Sequence, residues 1–67
     1  MNKNLLKGKI VSKGLDINTF ANEINVSKCA LYRKLNGTSK FTCDEIQATK
    51  NTLALSNNEI CDIFFVS

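Results

Sequence analysis

Residues 15–37 read LDINTFANEINVSKCALYRKLNG and predict two helices separated by a very short turn. Successive residues of a helix lie 100° apart, which gathers four apolar side chains on one face of the first helix. They are Ile17, Phe20, Ala21 and Ile24. Asn25 tolerates the left-handed backbone region, so it can supply the bend. A connection this short forces the helices to cross steeply, and the small Ala21 suits their closest approach.

Four helix starts in the chain share one pattern: an apolar residue, a capping residue, and an apolar residue five positions after the first. The capping residues are Asp16, Ser27, Thr42 and Ser56. Glu45 and Glu59 follow the last two by three residues, which predicts a reciprocal capping box at each. A fifth helix precedes these four, with Leu6 and Ile10 one turn apart and Gly14 as its left-handed cap.

The sequence therefore predicts helices near residues 4–13, 17–24, 28–36, 43–54 and 57–65, and no segment alternates long enough to indicate a strand. The expected fold class is all-α: a compact five-helix bundle with a helix-turn-helix formed by the second and third helices. We expect residues 1–67 to form a single domain. A chain of 67 residues buries only a small core, which excludes a large cleft between domains.

The net charge of +3 is distributed unevenly along the chain. Residues 1–40 have a formal charge of +6, whereas residues 41–67 have a formal charge of −3. No acidic residue lies between Glu23 and Asp44. That interval contains four cations: Lys28, Arg33, Lys34 and Lys40. Such a segment can face phosphate groups because it contains no acidic residue that would neutralise its cations.

Composition argues against several other classes of protein. No run of 18 apolar residues is present to span a bilayer, and the chain opens without an apolar leader, so we expect a cytoplasmic protein without membrane contact. The three cysteines stand 14 and 18 residues apart and there is no histidine, which fits neither a disulfide framework nor a zinc site. We expect no cofactor and no metal.

An enzyme is not expected, because the chain has no histidine to act as a general base. Four acidic residues are explained as helix charges favoured by the helix dipole. They are Asp44, Glu45, Glu59 and Asp62.

The residues from Phe20 to Gly37 resemble the helix-turn-helix of lambda-type phage repressors and Cro proteins. The matching residues are Phe20, Ala21, Ile24, Asn25, Val26, Ser27, Leu31, Arg33, Leu35, Asn36 and Gly37. The resemblance extends from Leu6 to about Phe64 in helix number, helix order and loop length. Two departures stand out: Asn25 replaces the usual glycine of the bend, and Thr49 and Thr52 lie where the family prefers apolar residues.

The resemblance implies that the third helix is the recognition helix and that its N-terminal half contacts base edges in the major groove. The matching positions are Lys28, Cys29 and Arg33, with Tyr32 beside them. Arg33 suits a bidentate contact to guanine or, alternatively, a phosphate clamp. Cys29 either touches a thymine methyl or is merely a tolerated small residue. Tyr32 packs either on the sugar-phosphate backbone or within the protein.

Phosphate contacts are expected on either side of that helix. Helix N-termini bind phosphates well, which points to Asn18 and Thr19 at the start of the second helix. The loop after the third helix resembles the second phosphate contact of the family, although Asn-Gly is also a common helix stop in any protein. Its candidate contact residues are Asn36, Thr38, Ser39 and Lys40.

We expect the chain to act as a sequence-specific DNA-binding transcriptional regulator, a phage or prophage Cro-like repressor that occupies double-stranded operator DNA. One domain reads few base pairs, which favours a homodimer on DNA. Phe65 and Val66 either cover the core or form the dimer contact. No small-molecule ligand is expected. The alternative is a protein-interaction module on the same fold, such as an antirepressor or an anti-defence protein.

Overall fold

Five α-helices follow one another in the computed structural model, which describes residues 1–65 of the chain. They are α1 (Lys3–Ser12), α2 (Ile17–Glu23), α3 (Lys28–Leu35), α4 (Cys43–Leu53) and α5 (Asn57–Phe64). The predicted spans agree with these bounds to within one residue at each end. Residues 1–65 contain no strand, so the predicted all-α class and the number of helices are confirmed.

A side chain caps the start of each helix, which is why the boundaries were predictable. The carboxylate of Asp16 accepts from the amide of Thr19 at 2.7 Å, and the hydroxyl of Ser27 accepts from the amide of Ala30 at 3.1 Å. Both predicted capping boxes are present, at α4 and at α5. Asn2 caps α1 in the same way, a role that the sequence analysis did not anticipate.

The turns between helices depend on residues with positive φ. Asn25 has φ 62° and Gly14 has φ 74°, so both predicted left-handed positions are confirmed. The amide of Val26 donates to the carbonyl of Ala21 at 3.0 Å and closes the connection between α2 and α3. Ala54 also adopts the left-handed region, with φ 53°, although alanine rarely does so.

The core collects apolar side chains from all five helices and from the α4–α5 connection. Its members are Leu6, Ile10, Phe20, Ala21, Ile24, Leu31, Leu35, Leu53, Leu55, Ile60 and Ile63. Thr49 is fully buried among them, and its hydroxyl donates to the carbonyl of Glu45 at 2.8 Å. That hydrogen bond satisfies the polar group, so a threonine is tolerated in this core.

The two ends of the described chain are joined through α1 and α5. The amide of Asn2 donates to the carbonyl of Ile63 at 2.7 Å, and Lys9 forms an ion pair with Glu59. Glu59 also accepts from the amide of Ser56. The Lys9 ammonium and then the Ser56 amide lower the pKa of Glu59 from 4.5 to about 2. The carboxylate is therefore charged at all but strongly acidic pH.

We expect the stability of the protein to fall on acidification because of Glu59. The pKa of Glu59 is lower in the folded chain than the ordinary value of 4.5. The charged carboxylate therefore adds to the free energy of unfolding above pH 4.5, and this addition is lost as the pH falls toward about 2. The free energy of unfolding, measured in urea between pH 6 and pH 2, should decrease in this window. The variant Glu59→Gln should show a shallower decrease, and an identical pH profile would contradict the assignment.

Candidate nucleic-acid interface

The outward face of α3 is the most prominent candidate surface. Leu31 and Leu35 are buried against the core and fix the inward side of this eight-residue helix. Because side chains repeat every 3.6 residues, the opposite side projects into solvent. The four predicted base-contacting side chains are all exposed: Cys29 and Arg33 lie opposite the buried leucines, Tyr32 lies beside them, and Lys28 stands at the N-terminal end of the helix. The structure thus presents them together on one short helix.

The cations on this face are available for a partner. Two ion pairs occur within residues 1–65, and neither includes Lys28 or Arg33. The ammonium of Lys28 lies 6.0 Å from the centroid of the Tyr32 ring, the outer limit for a cation–π contact. Tyr32 is 42% exposed and also borders a shallow apolar hollow with Val11 and Ile17. Its ring therefore contacts the protein on one side and solvent on the other.

The start of α2 is less open to phosphate than a bare helix N-terminus. Asn18 and Thr19 are exposed, but the Thr19 amide is already bonded to Asp16. The hydrogen bonds from Thr19 lower the pKa of Asp16, to which the nearby charge of Lys28 also contributes. The position therefore carries a carboxylate. A phosphate here would be held by the side chains of Asn18 and Thr19, not by the Thr19 amide.

The loop after α3 is folded back on the helix that precedes it. The amides of Gly37, Thr38 and Ser39 donate to the carbonyls of Lys34 and Arg33 at 3.2, 2.9 and 3.3 Å. Gly37 has φ 84°, as expected of a residue that ends a helix in the left-handed region. Because these amides are occupied, the loop offers side chains to a partner. Those of Asn36, Thr38 and Lys40 are exposed, and that of Ser39 is half-buried.

Lys34 differs from the other cations between Glu23 and Asp44. Its ammonium lies 2.9 Å from a carboxylate oxygen of Glu45 and donates to the carbonyl of Lys40 at 3.1 Å. By its place in the sequence Lys34 was expected to face phosphate with the other cations of this segment, but its ammonium is bound to Glu45 of α4. Two sequence features could have indicated the contact between Lys34 and α4: the capping-box glutamate Glu45 and the nearby aromatic residue Phe41.

The C-terminal end of α5 borders an open apolar groove of about 500 Å³. Its apolar lining consists of Met1, Leu35, Phe41, Ile46, Phe64 and Phe65. Phe64 is half-buried and meets Phe41 edge to face, with 5.1 Å between ring centroids. Phe65 is 67% exposed, so most of its ring does not cover the core. Val66, the other predicted dimer contact, lies outside the described residues.

Residues 1–65 were also compared with the requirements of a metal site and of a membrane span, and they meet neither. Within this range no three His, Cys, Asp or Glu side chains are grouped so that they could hold a metal ion. Cys29, Cys43 and Cys61 are free and exposed. No helix in the same range has both the length and the apolar character needed to cross a bilayer.

Comparison of the chain with protein-family models, with curated proteins and with solved structures gives no match.

The cations of α3 should separate into two classes when their effect on stability is measured. Arg33→Ala and Lys28→Ala remove exposed side chains outside the ion pairs, so each should change the free energy of unfolding by less than about 0.5 kcal/mol. Lys34→Ala removes a largely buried charged partner and should cost about 1–3 kcal/mol. Urea denaturation of the three variants checks this, and equal losses would contradict the distinction.

Proposed function

We propose that this protein is a sequence-specific DNA-binding transcriptional regulator, a Cro-like repressor of phage or prophage type. In this proposal α2 and α3 act as a helix-turn-helix, and α3 enters the major groove of operator DNA. The observation that carries the proposal is the exposed face of α3, where Lys28 and Arg33 project without an ion-pair partner in residues 1–65. The segment between residues 23 and 44 contains no acid to neutralise them.

The dimensions and chemistry of α3 suit base recognition. An α-helix with its side chains is about 10–12 Å across, and the major groove, about 12 Å wide, admits it. Arg33 has a planar fork that matches O6 and N7 of guanine. Lys28 adds a second donor to a base or a phosphate, and Cys29 offers a small apolar surface to a thymine methyl. Tyr32 is placed to pack on the adjoining sugar-phosphate backbone.

Phosphate contacts would fix the orientation of α3 in the groove. On one side they would come from the side chains of Asn18 and Thr19. On the other side they would come from the loop that follows α3. Its contributing side chains are Asn36, Thr38, Ser39 and Lys40. Lys40 is the one cation among these side chains, so its contact would make affinity depend on salt, because a neutralised phosphate releases counterions.

A homodimer would let the protein read two half-sites one helical turn apart. The exposed ring of Phe65 beside the apolar groove supports a contact between two copies at this end of α5. The proposed repressor acts in the cytoplasm by occupying a promoter, and it needs neither a cofactor nor a small-molecule ligand.

A second candidate function is a protein-interaction module such as an antirepressor or an anti-defence protein. The same groove supports it, since an apolar surface bordered by Lys3 and Lys40 also suits a protein partner. The two functions differ in the surface that is central to binding. DNA would contact the exposed side of α3, whereas a protein partner would contact the groove lined by Phe41 and Phe65. Asn36, Ser39 and Lys40 border both surfaces.

Selection of bound sites from random duplex DNA, followed by affinity measurements at two salt concentrations, tests the proposed DNA binding. Arg33→Ala should lose discrimination at one base position by about 1–3 kcal/mol. Lys40→Ala serves as the matched control: it should weaken binding to all sequences alike and reduce the salt dependence. Failure of the unaltered protein to bind any duplex at low salt would contradict the proposal.

Sedimentation analysis of Phe65→Glu tests the proposed dimer. A charge on this ring position should shift the monomer–dimer equilibrium toward monomer, because the carboxylate would have to be desolvated in the contact. Val11→Glu is a suitable control, since Val11 is an equally exposed apolar residue that does not line the groove at α5. An unchanged equilibrium in Phe65→Glu would rule out this contact.

A further inference from the structure

Lys34 lies at a junction between α3, the loop that follows it and the start of α4. Its ammonium contacts the Glu45 carboxylate at 2.9 Å and the Lys40 carbonyl at 3.1 Å. It also lies 5.8 Å from the centroid of the Phe41 ring. The side chains of Lys34 and Glu45 are only 11% and 17% exposed, so solvent screens this pair less than a surface ion pair.

The carboxylate that holds Lys34 has a second partner in the capping box of α4. The same oxygen of Glu45 accepts from the amide of Thr42 at 2.9 Å. Burial opposes ionisation of Glu45, but the Thr42 amide and the Lys34 ammonium outweigh it and lower the pKa of this carboxyl. Glu45 is therefore charged near neutral pH. A single anion thus links the last turn of α3 to the first turn of α4.

These contacts hold the loop of residues 36–40 from both ends. At its start, the amides of Gly37 and Thr38 donate to carbonyls of α3. At its end, the Lys40 carbonyl accepts from Lys34, whose charge is bound to α4. The contact to the Lys40 carbonyl adds a restraint at the end of the loop to the backbone hydrogen bonds at its start. Its exposed side chains, those of Asn36, Thr38 and Lys40, take their direction from that position.

We infer that Lys34 is a positioning residue that fixes the loop of residues 36–40 for contact with a phosphate of double-stranded DNA, and that it does not bind the phosphate itself. This inference rests on the proposed DNA-binding function. The competing account is that Lys34 leaves Glu45 and binds a phosphate directly. The two accounts predict opposite effects for Glu45→Gln.

Glu45→Gln is informative because glutamine retains an oxygen for the Thr42 amide but loses the charge that holds Lys34. If Lys34 positions the loop, Glu45→Gln should weaken DNA binding, since the Lys40 end of the loop is released. Removal of the Glu45 anion favours DNA binding under either account, so only the positioning account predicts a net loss. If Lys34 is a phosphate ligand, Glu45→Gln should strengthen binding, since it also frees this cation for the phosphate.

The experiment uses a labelled duplex whose sequence was obtained by the site selection described above. Its affinity for the protein is measured by fluorescence anisotropy over a range of salt concentrations. The proteins compared are the unaltered chain, Lys34→Met, Lys34→Arg, Glu45→Gln and Lys9→Met. Lys9→Met is the matched control, because it also removes one positive charge and one ion pair, between α1 and α5 and not at the loop. All measurements are made at a temperature where circular dichroism shows each variant to be folded.

We expect Lys34→Met and Glu45→Gln each to weaken binding about tenfold and to reduce the slope of log K against log salt by about 1, the loss of one phosphate contact. Lys34→Arg should recover most of the affinity, because its guanidinium can still bind the carboxylate. The affinity of Lys9→Met for the duplex should decrease far less. Tighter binding by Glu45→Gln, or equal losses in Lys34→Met and Lys9→Met, would overturn the inference while leaving the proposed function intact.

Hydrogen exchange of the free protein tests the positioning role without DNA. The amide of Thr38, which donates to Arg33, should exchange faster in Lys34→Met than in the unaltered chain, relative to amides of α2. Unchanged exchange in the loop would overturn the inference. If the unaltered protein binds no duplex at low salt, the proposed function fails, and the DNA role inferred for Lys34 fails with it.

Discussion

The anchoring of α3 at both of its ends is the constraint on which the candidate interface depends. Leu31 and Leu35 are the buried residues of this helix, and contacts at its two ends add to the orientation that they impose. Ser27 and the left-handed Asn25 fix its start. Lys34 fixes its end through Glu45. A helix held at both ends can leave most of its surface free without losing its position, which is what a helix that reads a groove requires.

The cations of the chain fall into two groups, those that form ion pairs with glutamates and those that do not. Among residues 1–65, Lys9 and Lys34 are engaged by Glu59 and Glu45, whose carboxylates also cap helices. These lysines connect helices and contribute little free charge at the surface. The candidate interface depends instead on the cations of α3 and its loop that lie outside these pairs. The net charge of +3 conceals this division, because it counts structural and available cations alike.

Local sequence patterns predicted the helices well because each start is determined by residues within one turn. Asp16 and Thr42 cap the amides three positions away, and Asn25 supplies the bend by its own backbone preference. The ion pair of Lys34 was not predicted, since its partner is eleven residues away and meets it only after α4 packs. Ala54 gave no local indication of its left-handed conformation. For the candidate site, the sequence could predict which side chains of α3 are exposed, because exposure follows helical periodicity. It could not predict what those side chains bind, because binding depends on a partner.

Nuclear magnetic resonance tests most directly whether the outward face of α3 reads DNA. The isotope-labelled protein is titrated with a short duplex at low salt, and the shifts of its backbone amides are recorded at each step. We expect the largest shifts in residues 28–33 and 36–40, with further shifts at Asn18 and Thr19. The absence of shifts in residues 28–33 at a saturating concentration of duplex, even with shifts around Phe41 and Phe65, would contradict DNA reading by α3.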